Sequence, residues 1–269
     1  MDDIMKKQLA LVLCAACPAL MGAGLGLYRN SVVSQCTDPA SGLLQTGSAP
    51  HFTAFFIAAC VCALICFALA FSARRLPLCC GIKPVGTDVK IARVLTAFLF
   101  FGAGAVLFLS APAPTPLLIL KAVFLCACGA ASIAVVRAGS VSSKGLCSLF
   151  PLFFMSIYLL SFYRDCARNP LIFTFAFEIL TVVCVLLSLY LTCCPWFGKR
   201  RYGLLLLFVM LSTMGGFTLA AGYLLNHAFF SAYLPLTAAD APLCAALLLW
   251  LWTDIAEFSL PAAQNEQLS

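Results

Sequence analysis

Charge is what this sequence has least of. Only 10% of its 269 residues are Asp, Glu, Lys or Arg, and two are His; soluble domains carry about a quarter charged residues and under half apolar ones. A water-soluble globule of this make-up would expose most of its apolar surface. A soluble enzyme, a disordered chain and a nucleic-acid binder are therefore excluded. Catalytic signatures are missing too: we read no phosphate-binding glycine loop, no HExxH, no GxSxG and no DxxD-like acidic pair within an apolar run. Two histidines and no carboxylate cluster leave metal-dependent hydrolysis without ligands, and no cofactor is expected. ATP-driven transport would need a separate energising subunit. No polar stretch is long enough for a second folded domain, so the chain reads as a single integral membrane domain over 1–269, with 261–269 a short cytoplasmic tail.

What is present is apolar sequence. Hydrophobic residues make up 63% and mean hydropathy is +1.05. A spanning helix needs about 20 mostly apolar residues, because about 30 Å of hydrocarbon is crossed at 1.5 Å per residue. Runs near 8–28, 52–73, 91–110, 116–136, 145–163, 170–192, 203–225 and 241–259 qualify. The expected fold is all-α, a polytopic transmembrane helix bundle of about eight spans. A β-barrel is excluded, since barrel strands alternate apolar and polar residues and these runs are apolar throughout. Lys6-Lys7 before the run to Cys17 resembles a secretory signal. Cys14, standing where a lipoprotein signal has Leu, and continuation of the run through Leu27 favour a retained first span.

Basic residues set the expected orientation. Lys6, Lys7, Arg74, Arg75, Lys83, Lys90, Arg93, Arg137, Lys144, Lys199, Arg200 and Arg201 fall on one side of the alternating spans. The other side has Arg29, Arg164 and Arg168. The positive-inside rule then places both termini in the cytoplasm, in the cell membrane, and explains the net charge without nucleic acid. Tyr190, Trp196, Tyr202, Trp250 and Trp252 read as an inner aromatic belt, and Tyr28, Tyr158, Tyr163, Tyr223 and Tyr233 as an outer one.

A parallel duplication of four spans plus four, with halves 1–140 and 141–260, is suggested by matching features. Leu27-Tyr28-Arg29 echoes Phe162-Tyr163-Arg164, Cys79-Cys80 echoes Cys193-Cys194, and Thr115-Pro116-Leu117 echoes Ala241-Pro242-Leu243. Small-residue rows, Gly22 with Gly26, Ala54 to Ala70 every fourth residue, and Ala122, Cys126, Ala130 and Ala134, are expected to let helices approach closely inside the bundle. Most of the sixteen cysteines lie within spans as small apolar side chains. Cys36 and Cys166 are the pair positioned for an outer disulfide, and Cys79, Cys80, Cys193 and Cys194 offer thiolates at the inner face.

Lys121 and Glu178 stand inside predicted spans, at about 7 and about 12 Å from the outer end by helix rise. A mid-helix charge costs about 2.5–3.5 kcal/mol on insertion scales, so such residues pair, line water or snorkel. A Lys121 to Glu178 pair fits those depths. Arg29, Arg164 and Arg168 on the disfavoured side suggest an anion or lipid phosphate held by guanidinium forks, or pairing with Asp38, Asp165 and Asp240. The candidate substrate-binding or ion-coupling residues are therefore Glu178, Lys121, Arg29, Arg164, Arg168, Tyr28 and Tyr163. They point to transport of a small solute or lipid through an outward-facing polar site, with an enzyme acting on lipid headgroups and a non-catalytic accessory or sensor subunit as rival readings. Membrane lipids, a small anionic solute and a partner membrane subunit are the expected partners. Reporter fusions after Lys83 and after Lys199 should both read as cytoplasmic; an exterior reading at either would overturn the orientation.

Overall fold

A computed structural model describes residues 2–36, 38, 45, 47–73, 86–110, 115–167, 172–197, 201–225 and 238–259. All regular structure among them is helical: α1 (Asp2–Cys36), α2 (Ala49–Ala73), α3 (Thr87–Leu109), α4 (Pro116–Arg137), α5 (Val141–Ala167), α6 (Ile172–Cys193) followed by a 3₁₀ turn (Cys194–Phe197), α7 (Tyr202–Leu225) and α8 (Asp240–Ser259). Eight of these helices are long and apolar enough to cross a membrane. The protein is a polytopic membrane protein.

The helix ends follow local chemistry. Thr115 accepts a hydrogen bond from the Leu118 amide at 3.3 Å, and Pro116 occupies the first helical position, where its missing N–H costs nothing. Ser140 likewise accepts from the Ser143 amide at the start of α5. The largest departure from the expected spans is α1. Hydropathy drops after Leu27, yet the helix continues to Cys36, because helical hydrogen bonds propagate through polar residues once a helix exists. Its 35 residues make a rod of about 52 Å, longer than the hydrocarbon is thick. Arg29 therefore belongs to a helix rather than to a loop.

Two compact units are distinguishable. One contains residues 1–73, 158–185 and 207–237, and the other residues 74–157, 186–206 and 238–269. They interleave along the chain, so neither coincides with the halves 1–140 and 141–260.

In the first unit α1 meets α7 through glycine. A Cβ placed on Gly22 would lie 2.3 Å from the Met214 carbonyl oxygen, and one on Gly26 would lie 2.6 Å from the Ala221 Cβ. Thr218 shares its hydroxyl proton between Met214 O on its own helix, at 2.8 Å, and Gly22 O on α1, at 3.0 Å. Lipid offers helices no hydrophobic reason to associate, so close backbone approach and such shared hydrogen bonds do the holding. In the second unit α3 packs on α4 and α8. Gly129 of α4 leaves room for the Phe101 ring, which a Cβ would approach to 2.9 Å.

Not every small-residue row is internal. The buried face of α4 is Leu125, Cys128, Gly129, Ala131, Ser132 and Val135. Cys126, Ala130 and Ala134 are exposed and Ala122 only half-buried, because Phe101 packs on the Gly129 face instead. The aromatic belt also needs correction. Trp196 is 5% exposed, Tyr202 6% and Trp250 0%, so all three are core residues, whereas Tyr28, Tyr163 and Tyr190 are exposed.

Enlarging Gly26 to Val should lower the thermal midpoint of the detergent-solubilised protein by the equivalent of about 1–3 kcal/mol, the usual cost of overpacking. Gly24→Ala, at a position with nothing within 4 Å, should not. Equal midpoints for the two variants would disprove the α1–α7 contact.

Candidate functional site

The continuation of α1 carries Arg29 into the first unit, where its side chain is 4% exposed and faces Glu178 of α6, itself 0% exposed. Arg29 Nη2 donates to Glu178 Oε1 in a buried ion pair. A row of aromatic rings starts beside it. The Arg29 guanidinium carbon lies 6.0 Å from the Phe177 ring centroid, Phe177 stands edge-on to Phe55 at 5.4 Å, and Phe55 neighbours Tyr28 at 6.3 Å. Such rings exclude water from the pair and give the cation a negative π-face. The second carboxylate oxygen, Oε2, is buried with no hydrogen-bond partner among the described residues.

The structure redistributes the other expected site residues. Glu178 takes Arg29 as its partner; Lys121, expected in that place from depth alone, is half-buried on α4 in the second unit. Arg164 is exposed on α5 and pairs with its neighbour Asp165 at 3.2 Å, which is the bland alternative that the sequence allowed. An exposed pair of this kind contributes about 0–1 kcal/mol. Tyr163 is 57% exposed and Tyr28 38%. Arg168 lies outside the described residues, as does the side chain of Cys166; Cys36 is a buried free thiol.

A second ionic cluster was not expected. Arg93 of α3 is fully buried, and its Nη2 donates to Asp254 Oδ1 of α8 and, at 3.3 Å, to Glu257 Oε2. Glu257 Oε1 in turn accepts from Lys144 Nζ of α5. Two cations and two carboxylates thus form one neutral network. Trp250 lies against Arg93, 4.7 Å from guanidinium carbon to ring centroid, and Trp196 lies 5.4 Å from Lys144 Nζ. Ser132 of α4 donates to the Arg93 backbone oxygen at 2.7 Å, tying α3 to α4 at the same level.

The sequence puts Arg93 at the end of the third span and Lys144 between the fourth and fifth, as charges on the cytoplasmic side, and shows no DxxD-like acidic pair within a span. The structure corrects the last two: Lys144 lies in α5, and Asp254 and Glu257 form an acidic pair within α8. Asp254 and Glu257 stand three residues apart in the last turns of the eighth apolar run, which places them on one helix face. That spacing was the signal available. α5 starts at Val141, so Lys144 is already in its first turn, where it reaches α8.

Chemically, both clusters can hold or exchange a proton on a carboxylate. Neither is a metal site: no group of three or more His, Cys, Asp or Glu with metal-binding geometry exists among the described residues. Cys193 and Cys194 are engaged with the backbone oxygens of Ser148 and Tyr190, each at 3.4 Å, and Cys79 and Cys80 lie outside the described residues.

Removing one partner of a buried pair strands the other charge, at a cost of about 3–5 kcal/mol. Arg29→Gln should therefore destabilise the protein by that order, and Arg29→Gln combined with Glu178→Gln should recover most of the loss. A double variant no more stable than Arg29→Gln alone, measured by thermal denaturation in detergent, would show that the two side chains do not interact.

Among known proteins, no family model, no curated protein and no solved structure matches this chain.

Proposed function

We propose that this protein is a membrane carrier for a small anionic solute, with Glu178 as its proton-coupling carboxylate and Arg29 as the group that alternately pairs with Glu178 and with the solute. The observation that supports this reading is the placement of a fully buried, singly bonded carboxylate beside a guanidinium inside spanning helices. Intramembrane ionisable residues are costly and commonly mark ion or substrate pathways. The electrostatics dictate the coupling. As long as Glu178 is ionised the pair is neutral and Arg29 is occupied. A proton added at Oε2 neutralises the carboxylate, weakens its hold on the guanidinium and adds one positive charge to a low-dielectric setting, which an incoming anion cancels. Proton and anion then enter together with no net charge, and both leave when Glu178 ionises and retakes Arg29.

Arg164 and Tyr163, exposed near the end of α5, are proposed to attract the anion at the surface, as Arg168 was from sequence. With the basic loops in the cytoplasm, the Arg29 end of α1 faces the exterior, so the solute is taken up from outside.

The test uses the full chain in proteoliposomes with trapped pyranine as a pH reporter. Outside addition of phosphate, sulfate or a short carboxylate in a panel should acidify the lumen for at least one of these anions, and Glu178→Gln should slow that acidification at least tenfold while leaving expression and helix content intact. If Glu178→Gln acidifies as fast as the parent, or if no anion in the panel produces acidification, the carrier reading fails.

A further inference from the structure

The Arg93, Asp254, Glu257 and Lys144 network is more elaborate than a helix clamp requires, and its two carboxylates are not equivalent. Glu257 has a cation on each oxygen, Lys144 on Oε1 and Arg93 on Oε2, and its side chain is 11% exposed. Asp254 has one cation, on Oδ1, and a side chain 1% exposed. Its Oδ2 is buried without a hydrogen-bond partner among the described residues, as are Arg93 Nε and Nη1. The Trp250 indole neighbours the same carboxylate without completing a regular hydrogen bond to it. Asp254 Oδ2 therefore offers a lone pair that no cation holds, whereas a proton arriving on Glu257 would have to displace a cation.

We propose that this network is a second proton-binding site, separate from Glu178, at which Asp254 Oδ2 takes up a proton and releases Arg93. The step balances simply. One O–H bond forms on Oδ2, the ion pair between Arg93 Nη2 and Oδ1 becomes a weak hydrogen bond, and the network passes from neutral to a charge of plus one. Arg93 keeps only Glu257, which it shares with Lys144, so the hold of α3 on α8 loosens at this level. Glu257, with a side chain 11% exposed and close to the end of α8, is the member of the network nearest to its surroundings.

The other groups facing Asp254 are accounted for. Arg93 comes from α3, Lys144 from α5 through Glu257, Trp250 from α8 itself, and Cys193 of α6 lies within electrostatic reach. Ser132 of α4 is committed to the Arg93 backbone oxygen. The site also carries its own reporters, because two of the three tryptophans in the chain, Trp250 and Trp196, lie against Arg93 and Lys144.

The experiment is pH-difference infrared spectroscopy of the full chain in lipid nanodiscs between about pH 8 and about pH 5, an interval above the range of a solvated carboxyl, in the direction in which burial moves such a group. Acidification should raise a carbonyl-stretch band of a dehydrated carboxylic acid. That band should shift down when aspartate is labelled with carbon-13 in its side-chain carboxyl, stay put when glutamate is so labelled, persist in Glu178→Gln and vanish in Asp254→Asn. Tryptophan emission should change over the same pH interval and stop changing in Asp254→Asn. Should Asp254→Asn fail to fold, the isotope shift in the unaltered chain decides alone. No such band, a band sensitive only to labelled glutamate, or one surviving in Asp254→Asn would overturn the proposal. Because Glu178→Gln is required to keep the band, failure here is distinguishable from failure of the carrier reading.

Discussion

A charge inside hydrocarbon must find its opposite, and the two polar centres of this protein follow from that single constraint. Moving an ion out of water costs far more than any packing contact returns, unless a counter-ion and hydrogen bonds meet it. Arg29 and Glu178 satisfy each other within one unit, and Arg93, Asp254, Glu257 and Lys144 do so within the other. Each group comes from a different helix from its counter-ion. The pairs therefore specify which helices must be neighbours more sharply than apolar contact does, since one lipid-facing surface resembles the next.

Packing does the complementary work. Charges attract over several ångströms, but a hydrogen-bonded pair needs helix faces in register. Glycine supplies the close approach where it counts, at Gly22 and Gly26 on α1, and the Thr218 hydroxyl adds a polar contact to the same seam. Arg29 lies one turn beyond Gly26 on this helix, so the register that seats Gly26 against α7 also sets the rotation at which the guanidinium leaves α1. Ser132 and Trp250 play the corresponding part for Arg93, one holding its backbone and the other its side-chain plane.

Incomplete satisfaction is the feature on which the proposed proton chemistry of these centres rests. A buried carboxylate oxygen without a partner is a cost that a purely structural pair would avoid. Glu178 and Asp254 each keep one such oxygen. In both cases the other oxygen faces an arginine, so a proton on the unpartnered oxygen would weaken that ion pair and add one positive charge, which is the coupling proposed above. Local ionic switches with distant readouts work through this kind of bistability.

The spans were legible in the sequence because hydropathy integrates over about twenty residues and tolerates errors in any one of them. Seven of the eight expected segments agree with α2 to α8 to within a few residues, and α1 differs only by running on at both ends. Glu178 was legible for the same reason, as a carboxylate in an otherwise apolar run. Its partner was not. Depth along a helix is a one-dimensional quantity; it pointed to Lys121 and left Arg29 beyond the expected first span, and finding the true partner needed knowledge of how far α1 runs on, which helices touch and how each is rotated. Asp254, Glu257, Arg93 and Lys144 escaped because each sits near a predicted span end, where a charge is ordinary. Only the folded arrangement, which turns α3, α5 and α8 so that those ends close on one another, converts four unremarkable boundary charges into a buried network. Composition determines that the chain lives in lipid, since solvent preference sums over residues; contact geometry decides where its charges meet, since an ion pair depends on three dimensions at once.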